Sequence, residues 1–265
     1  MRLALLALLT ASSAAFAQLG SLPVVGSDRS FTLGLQSHGP TFTGHFEGVQ
    51  DGQPISVDLD SDLKLGKDKA AVGFLLDYQG PRFGFLVQTG GTDYKGDNTL
   101  TRNITIDGTT YAALTRVRSS LKMKTLEGVW TIRIVPLSIA WVGVDLGLQS
   151  WKMDLEGTGT ALSPVVGTAT SSTSVTAPIP QVGLSAGSRL PGGMFEIKGA
   201  YHYLGSKGAK YTRTTLDARF YPLPYLGVRA FYEGENFDVP KGSINDDLAL
   251  KLDRKGAGFG VVVRF

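Results

Sequence analysis

The 265-residue chain contains no cysteine. Disulfide stapling, thiol nucleophiles and thiolate metal sites are thereby excluded. Histidine is scarce: His38, His45 and His202 are the three in the chain, so general acid–base chemistry has few bearers. Net charge is nearly absent too, with 26 Lys and Arg against 23 Asp and Glu giving +3. There is no dense basic block, and a nucleic-acid partner is not expected. No apolar run beyond the first residues approaches the ~18 needed for a membrane helix.

What is present begins with a short export signal. Met1-Arg2 is positive, Leu3 to Leu9 is apolar, and Ala15-Phe16-Ala17 fits a small-residue cleavage site. Residues 1–17 read as a secretory signal peptide, too short to span a bilayer, and are set aside from fold reasoning. Residues 18–265 then form one large domain. Glycine is abundant at 34, and mean hydropathy is near zero at +0.04.

The other end of the chain is a strand. In Gly256 to Phe265 the alternate residues Ala257, Phe259, Val261 and Val263 are apolar, and Gly258, Gly260, Val262 and Arg264 lie between them. Side chains alternate faces along a strand, so one face is greasy and the other small or polar. This stretch, ending on an aromatic, resembles the C-terminal strand of bacterial outer-membrane β-barrels. The resemblance implies an antiparallel transmembrane β-barrel in the cell outer membrane. It also implies contact with outer-membrane lipids and lipopolysaccharide, and recognition of Phe265 by the barrel-assembly machinery. Such barrels keep ordinary hydropathy because only every second residue faces lipid. A soluble sandwich or lipocalin-like barrel is the competing reading.

Along the chain the same alternation recurs. One long first strand is expected over about 31–49, with a bulge near Gly39 because Phe42 and Phe46 reverse the parity of Phe31, Leu33 and Leu35. Further strands are marked by Val72–Tyr78, Phe83–Val87, Leu126–Ile134, Ala140–Leu148, Val182–Ala186, Phe195–Tyr203, Leu216–Phe220 and Val228–Tyr232, with the tenth running to Phe265. Gly80-Pro81, Pro136-Leu137, Pro191-Gly192 and Pro222-Leu223-Pro224 are short turns. Longer segments alternate with them, and residues 157–176, rich in Ser, Thr, Gly and Ala, read as a mobile loop. Short turns on one side and long loops on the other predict an all-β barrel of ten strands, with eight or twelve as alternatives.

If the greasy face meets lipid, the opposite face lines the lumen. Its charged residues pair by sequence arithmetic. Glu196 falls opposite Arg219 and Lys198 opposite Asp217 around one turn. Asp217 falls opposite Arg229 and Arg213 opposite Glu233 around the next. Buried charges must be paired, so the lumen is expected to be partly filled by an ion-pair ladder and not an open pore, with Glu47, Asp77, Glu127, Asp145 and Arg264 also inward. Tyr221, Tyr225 and Phe265 are expected to form an aromatic girdle at the periplasmic rim.

Candidate chemistry is thin. His202, between Tyr201 and Tyr203, faces inward, and Leu204 stands where the outer-membrane lipid A deacylases carry a serine. No catalytic set can be assembled, and no cofactor is expected. Asp58, Asp60 and Asp62 have the spacing of a calcium loop, but Leu63 occupies the position that needs glycine, which leaves only a weak metal candidate. Gly90-Gly91 precedes no helix, so a phosphate loop is not expected. The expected function is that of a non-enzymatic outer-membrane barrel with a largely filled polar lumen, serving envelope structure, surface interaction or limited small-solute passage. A narrow porin-like channel and a lipid- or peptide-modifying enzyme are the alternatives.

Overall fold

The computed structural model describes residues 29–50, 53–106, 109–136, 139–163, 167–190, 192–206, 208–241 and 249–265. The expected signal peptide and the residues up to 28 lie outside the described residues. The strands are β1 (Ser30–His38), β2 (Thr41–Gln50), β3 (Gln53–Asp58), β4 (Gly66–Ala70), β5 (Val72–Gln79), β6 (Phe83–Thr99), β7 (Ile104–Ile106), β8 (Thr109–Tyr111), β9 (Arg116–Pro136), β10 (Ala140–Ser163), β11 (Gly167–Arg189), β12 (Phe195–Ser206), β13 (Ala209–Phe220), β14 (Leu226–Val239) and β15 (Ala249–Arg264). No helix among the described residues is long and apolar enough to cross a membrane.

The sheet closes on itself. Its order is β1-β5-β6-β9-β10-β11-β12-β13-β14-β15 and back to β1, an antiparallel ring of ten strands. The seam is sealed at its lower end by Phe31 and Phe265, whose amides donate to each other's carbonyls at 3.0 and 2.8 Å.

The first strand carries no bulge. β1 pairs with β15 from Thr32↔Arg264 to His38↔Gly258, and β2 resumes on the same register at Thr41↔Lys255. Parity is therefore preserved across Gly39-Pro40, and Phe42 points inward like His38. The expected reversal fails because the interior itself changes character at that height, from polar to apolar, so an inward position becomes a hydrophobic one. Glu47, at the upper end of this run, is exposed and accepts a hydrogen bond from His45 at 2.8 Å instead of lining the lumen.

Outside, the alternation produces a continuous apolar belt. Leu35, Leu146, Leu184, Leu216 and Phe259 are half-exposed or more, as are Trp130, flanked by Phe83 and Phe85, and Val261. A belt of this extent is unsustainable in water and matches the lipid-facing band of a membrane barrel.

The strands are not of one height. A tilted strand crosses the hydrocarbon with ~9–11 residues, yet β9 has 21 residues, β10 has 24 and β11 has 23. Their excess lies at the end away from the short turns and both described termini. The segment 157–176 is accordingly a tall hairpin, paired without interruption from Ala140↔Ser188 to Ala161↔Gly167, and not a loop. Ser and Thr with small residues suit a solvent-facing strand as well as a loop, so composition could not separate the two. β7 and β8 form a small hairpin. The segment 53–65 forms the ribbon strand β3 against β2, followed by a turn.

Candidate functional site

The lumen holds the polar residues of interest, because every second residue of ten strands points into it. It is built in two layers.

The lower layer is charged. Nearest the short turns, Arg264 donates to Glu196 at 2.7 Å and Arg189 lies 2.8 Å from the same carboxylate. The Arg264 guanidinium covers the Tyr221 ring at 3.7 Å. One step up, Arg219 reaches Asp77 at 2.7 Å and Asp217 at 3.1 Å, while Arg229 donates to Asp217 at 2.7 Å and to Gln36. At mid-height Asp145 accepts from Thr131 at 2.6 Å and Ser185 at 2.8 Å, and its other oxygen lies 3.0 Å from His202 Nε2. Above these, Arg213 is gripped by Glu127, Glu233 at 2.9 Å and Glu235 at 3.3 Å. Arg254 closes on Glu235 at 2.5 Å, and His38 Nδ1 stands 3.5 Å from Glu233. Gln88 and Gln181 donate to Glu127 at 2.7 and 2.8 Å. Low dielectric makes unpaired charges costly, and this network leaves few of them.

The upper layer is apolar. Phe42, Leu63, Tyr94, Leu121, Met123 and Trp151 belong to one buried cluster capped by residues of the segment 59–65. Tyr211 joins the layers, packing against Trp151 and donating its hydroxyl proton to Gln149.

Sequence expectations meet this geometry unevenly. Glu196↔Arg219 and Lys198↔Asp217 lie opposite each other on β12 and β13. Yet Glu196 binds Arg189 and Arg264, and the Lys198 ammonium lies 5.6 Å from the centre of the Trp141 ring. On β13 and β14 the register differs by two from the expected one: Arg219 faces Arg229, and Arg213 faces Glu235. The two prolines of the turn contribute no amide, so the ladder opens one residue earlier, at Phe220↔Val228. Asp217–Arg229 and Arg213–Glu233 still meet, as diagonal neighbours. Tyr221 is buried at 1 % exposure beneath Arg264 and is not part of an outer girdle, whereas Tyr225 is exposed and Phe265 packs near Phe31 at 6.4 Å. Tyr221 continues the inward parity of Asp217 and Arg219, which brings its ring under the Arg264 guanidinium.

Glu235, Arg254, His38 and Gln149 were not read from the sequence as members of the network. Parity would have found them: Glu235 follows Glu233 by two, and Arg254 shares the parity of Arg264.

Asp58 ends β3, and Asp60 and Asp62 lie on the turn that follows it. Asp58 Oδ1 accepts the amides of Asp60 at 2.9 Å and Ser61 at 2.7 Å, and Asp62 accepts the Asp58 amide at 2.9 Å. Arg102 pairs with Asp62 at 2.5 Å. Burial acts to raise the Asp58 carboxyl, but the donated amides outweigh it and hold the group below the usual carboxylate range. These oxygens cap a turn, and no group of three metal-ligating side chains gathers among the described residues.

His202 is 3 % exposed and its Nδ1 has no partner. It lines a cavity of about 20 Å³ together with Asp145, Lys198 and Thr215, room for roughly one water.

No family model matches the chain. No curated protein matches it in sequence. Its fold is similar to that of the outer membrane protease OmpT from Escherichia coli, with a TM-score of 0.62 over 93 % of this chain and 99 % of that one, at 11 % identity. Looser matches are the translocator domain of the autotransporter NalP from Neisseria meningitidis (TM-score 0.39, 10 % identity, 93 % and 96 % covered) and Ail of Yersinia pestis (TM-score 0.28, 14 % identity, 90 % and 100 % covered). At such identity the likeness carries the fold, that of a bacterial outer-membrane β-barrel, and no activity.

Proposed function

We propose that the protein is an integral, non-enzymatic barrel of the outer membrane whose lumen does not conduct, and that it acts at the surface through the sheet raised above the lipid. Export by residues 1–17, insertion guided by Phe265 and surroundings of outer-membrane lipid and lipopolysaccharide belong to this reading. The observation that carries it is the double filling of the lumen. The enclosed spaces in the charged layer are about 20 Å³ or less, and an apolar layer sits above them. Solute passage would need both layers to part. Catalysis is disfavoured because His202 is 3 % exposed and out of reach of a substrate.

Planar-bilayer recording of the purified protein tests this. No conductance steps are expected from the wild type. Arg213→Ala is expected to stay closed as well, because Trp151 and Tyr94 seal the lumen above it. Reproducible ohmic steps from the wild type would overturn the reading in favour of a narrow channel.

A further inference from the structure

Two edges of the sheet above the membrane are built differently. One is β4, a five-residue strand of sequence Gly-Lys-Asp-Lys-Ala. Short, charged edges of this kind resist pairing with other chains. The other is the upper half of β11. β12 pairs with β11 only from Val182↔Tyr203 to Arg189↔Glu196, whereas β11 continues upward to Gly167 against β10. Residues 167–178 therefore rise above the β12–β13 hairpin with one side paired and the other bare among the described residues, roughly 40 Å of strand at 3.4 Å per residue.

The direction of the bare groups follows from the ladder. The Arg189 amide donates to Ile139, on the β10 side, and the Leu190 amide donates to Phe195, on the β12 side. The β10–β11 register is unbroken, so odd residues bond β10 and even residues point away from it. The amides and carbonyls of Thr168, Thr170, Ser172, Ser174 and Thr176 thus face the open edge. Pro178 and Pro180 share that parity: lacking N–H groups, they cost β10 nothing and end the pairing with β12. From residue 157 to residue 188 the chain has no Asp, Glu, Lys or Arg. None of the usual edge guards stands along residues 168–176.

We propose that the β11 edge binds an extended, uncharged polypeptide segment of another protein by strand addition, antiparallel to β11 and in line above β12. This deepens the proposed surface role and rests on it. A second copy in the same membrane does not fit. A two-fold axis along the membrane normal would make both β11 strands run downward and cross, instead of lying antiparallel. Backbone bonds would supply the affinity, and the exposed Ser and Thr row would favour small or β-branched residues on the partner.

The test uses the folded protein in lipid nanodiscs and a ten-residue alternating Thr-Val peptide as probe, read by residue-resolved amide exchange. The even amides from Thr168 to Thr176 are expected to exchange quickly alone and to slow at least about tenfold with saturating peptide, while the odd amides stay protected throughout. Ser172→Pro removes an edge donor without touching a β10 bond and is expected to abolish the slowing with the heat-shifted gel mobility intact. Ser172→Lys, which replaces the missing guard, is expected to weaken binding likewise. Even amides already protected without peptide, protection that grows with protein concentration alone, or slowing unchanged in both variants would overturn the proposal. Bilayer recording on the same preparation separates the two readings: a closed barrel without peptide protection refutes the edge site only.

Discussion

Arg219 of β13 lies directly across the ladder from Arg229 of β14, and both guanidinium groups close on one carboxylate, Asp217. Like charges facing each other on adjacent strands are destabilising unless something stands between them. Here Asp217 does, and Asp77 holds the far side of Arg219 at 2.7 Å.

Asp217→Asn keeps the shape and removes that charge. It leaves Arg229 without a carboxylate and Arg219 with one, both within the wall. The expected loss is about 3–5 kcal/mol, typical of stranding a buried charge, read by urea unfolding in lipid vesicles. Lys198→Met, at a half-buried site over Trp141, is expected to cost less than about 1 kcal/mol. Equal effects of the two would show that the carboxylate does not organise the layer.

The belt makes a second prediction along a single strand. Leu216 is 50 % exposed on the outer face of β13, and Thr212 shares that face four residues higher. Leu216→Arg is expected to lower stability in vesicles by about 2–4 kcal/mol, and Thr212→Arg by about 0–1 kcal/mol, because the cost of a lipid-facing charge falls towards the interface. The reverse order would misplace the belt.

The turn after β3 makes a third. The Asp58 carboxyl is held below its ordinary 3.8, so its contribution is present above that pH and is lost as pH falls through the lower folded value. A carbon-13 titration of the Asp58 carboxyl is expected to give a midpoint below 3.8, with the turn becoming protease-sensitive as it protonates. A midpoint at or above 3.8 would mean that the two amides do not bind it.

Most of the wall was legible in the sequence because lipid contact imposes a strict period of two. Leu146, Leu184 and Phe259 announce the outer face, and Glu196, Asp217 and Arg229 the inner one. The interior was less legible where it changed solvent character. Phe42 looked like a parity reversal because the rule "apolar faces out" stops holding beside an apolar upper layer. The β13–β14 register depended on how a turn with two prolines opens, which alternation does not encode. The tall β10–β11 hairpin was missed because its Ser, Thr and Gly composition is shared by loops and by strands wetted on one side.

The seam between the first and last strands has a kinetic consequence. Thr32 pairs with Arg264 across nearly the whole chain, so the ring cannot close until β1 and β15, far apart in sequence, are both in place. Until then β1 and β15 are both bare edges, each with an apolar side. Contacts of such long range form slowly, and bare edges invite misjoining. Closure is therefore expected to be the last and rate-limiting step of biogenesis, with the unjoined seam as the interval in which the chain most needs to be escorted.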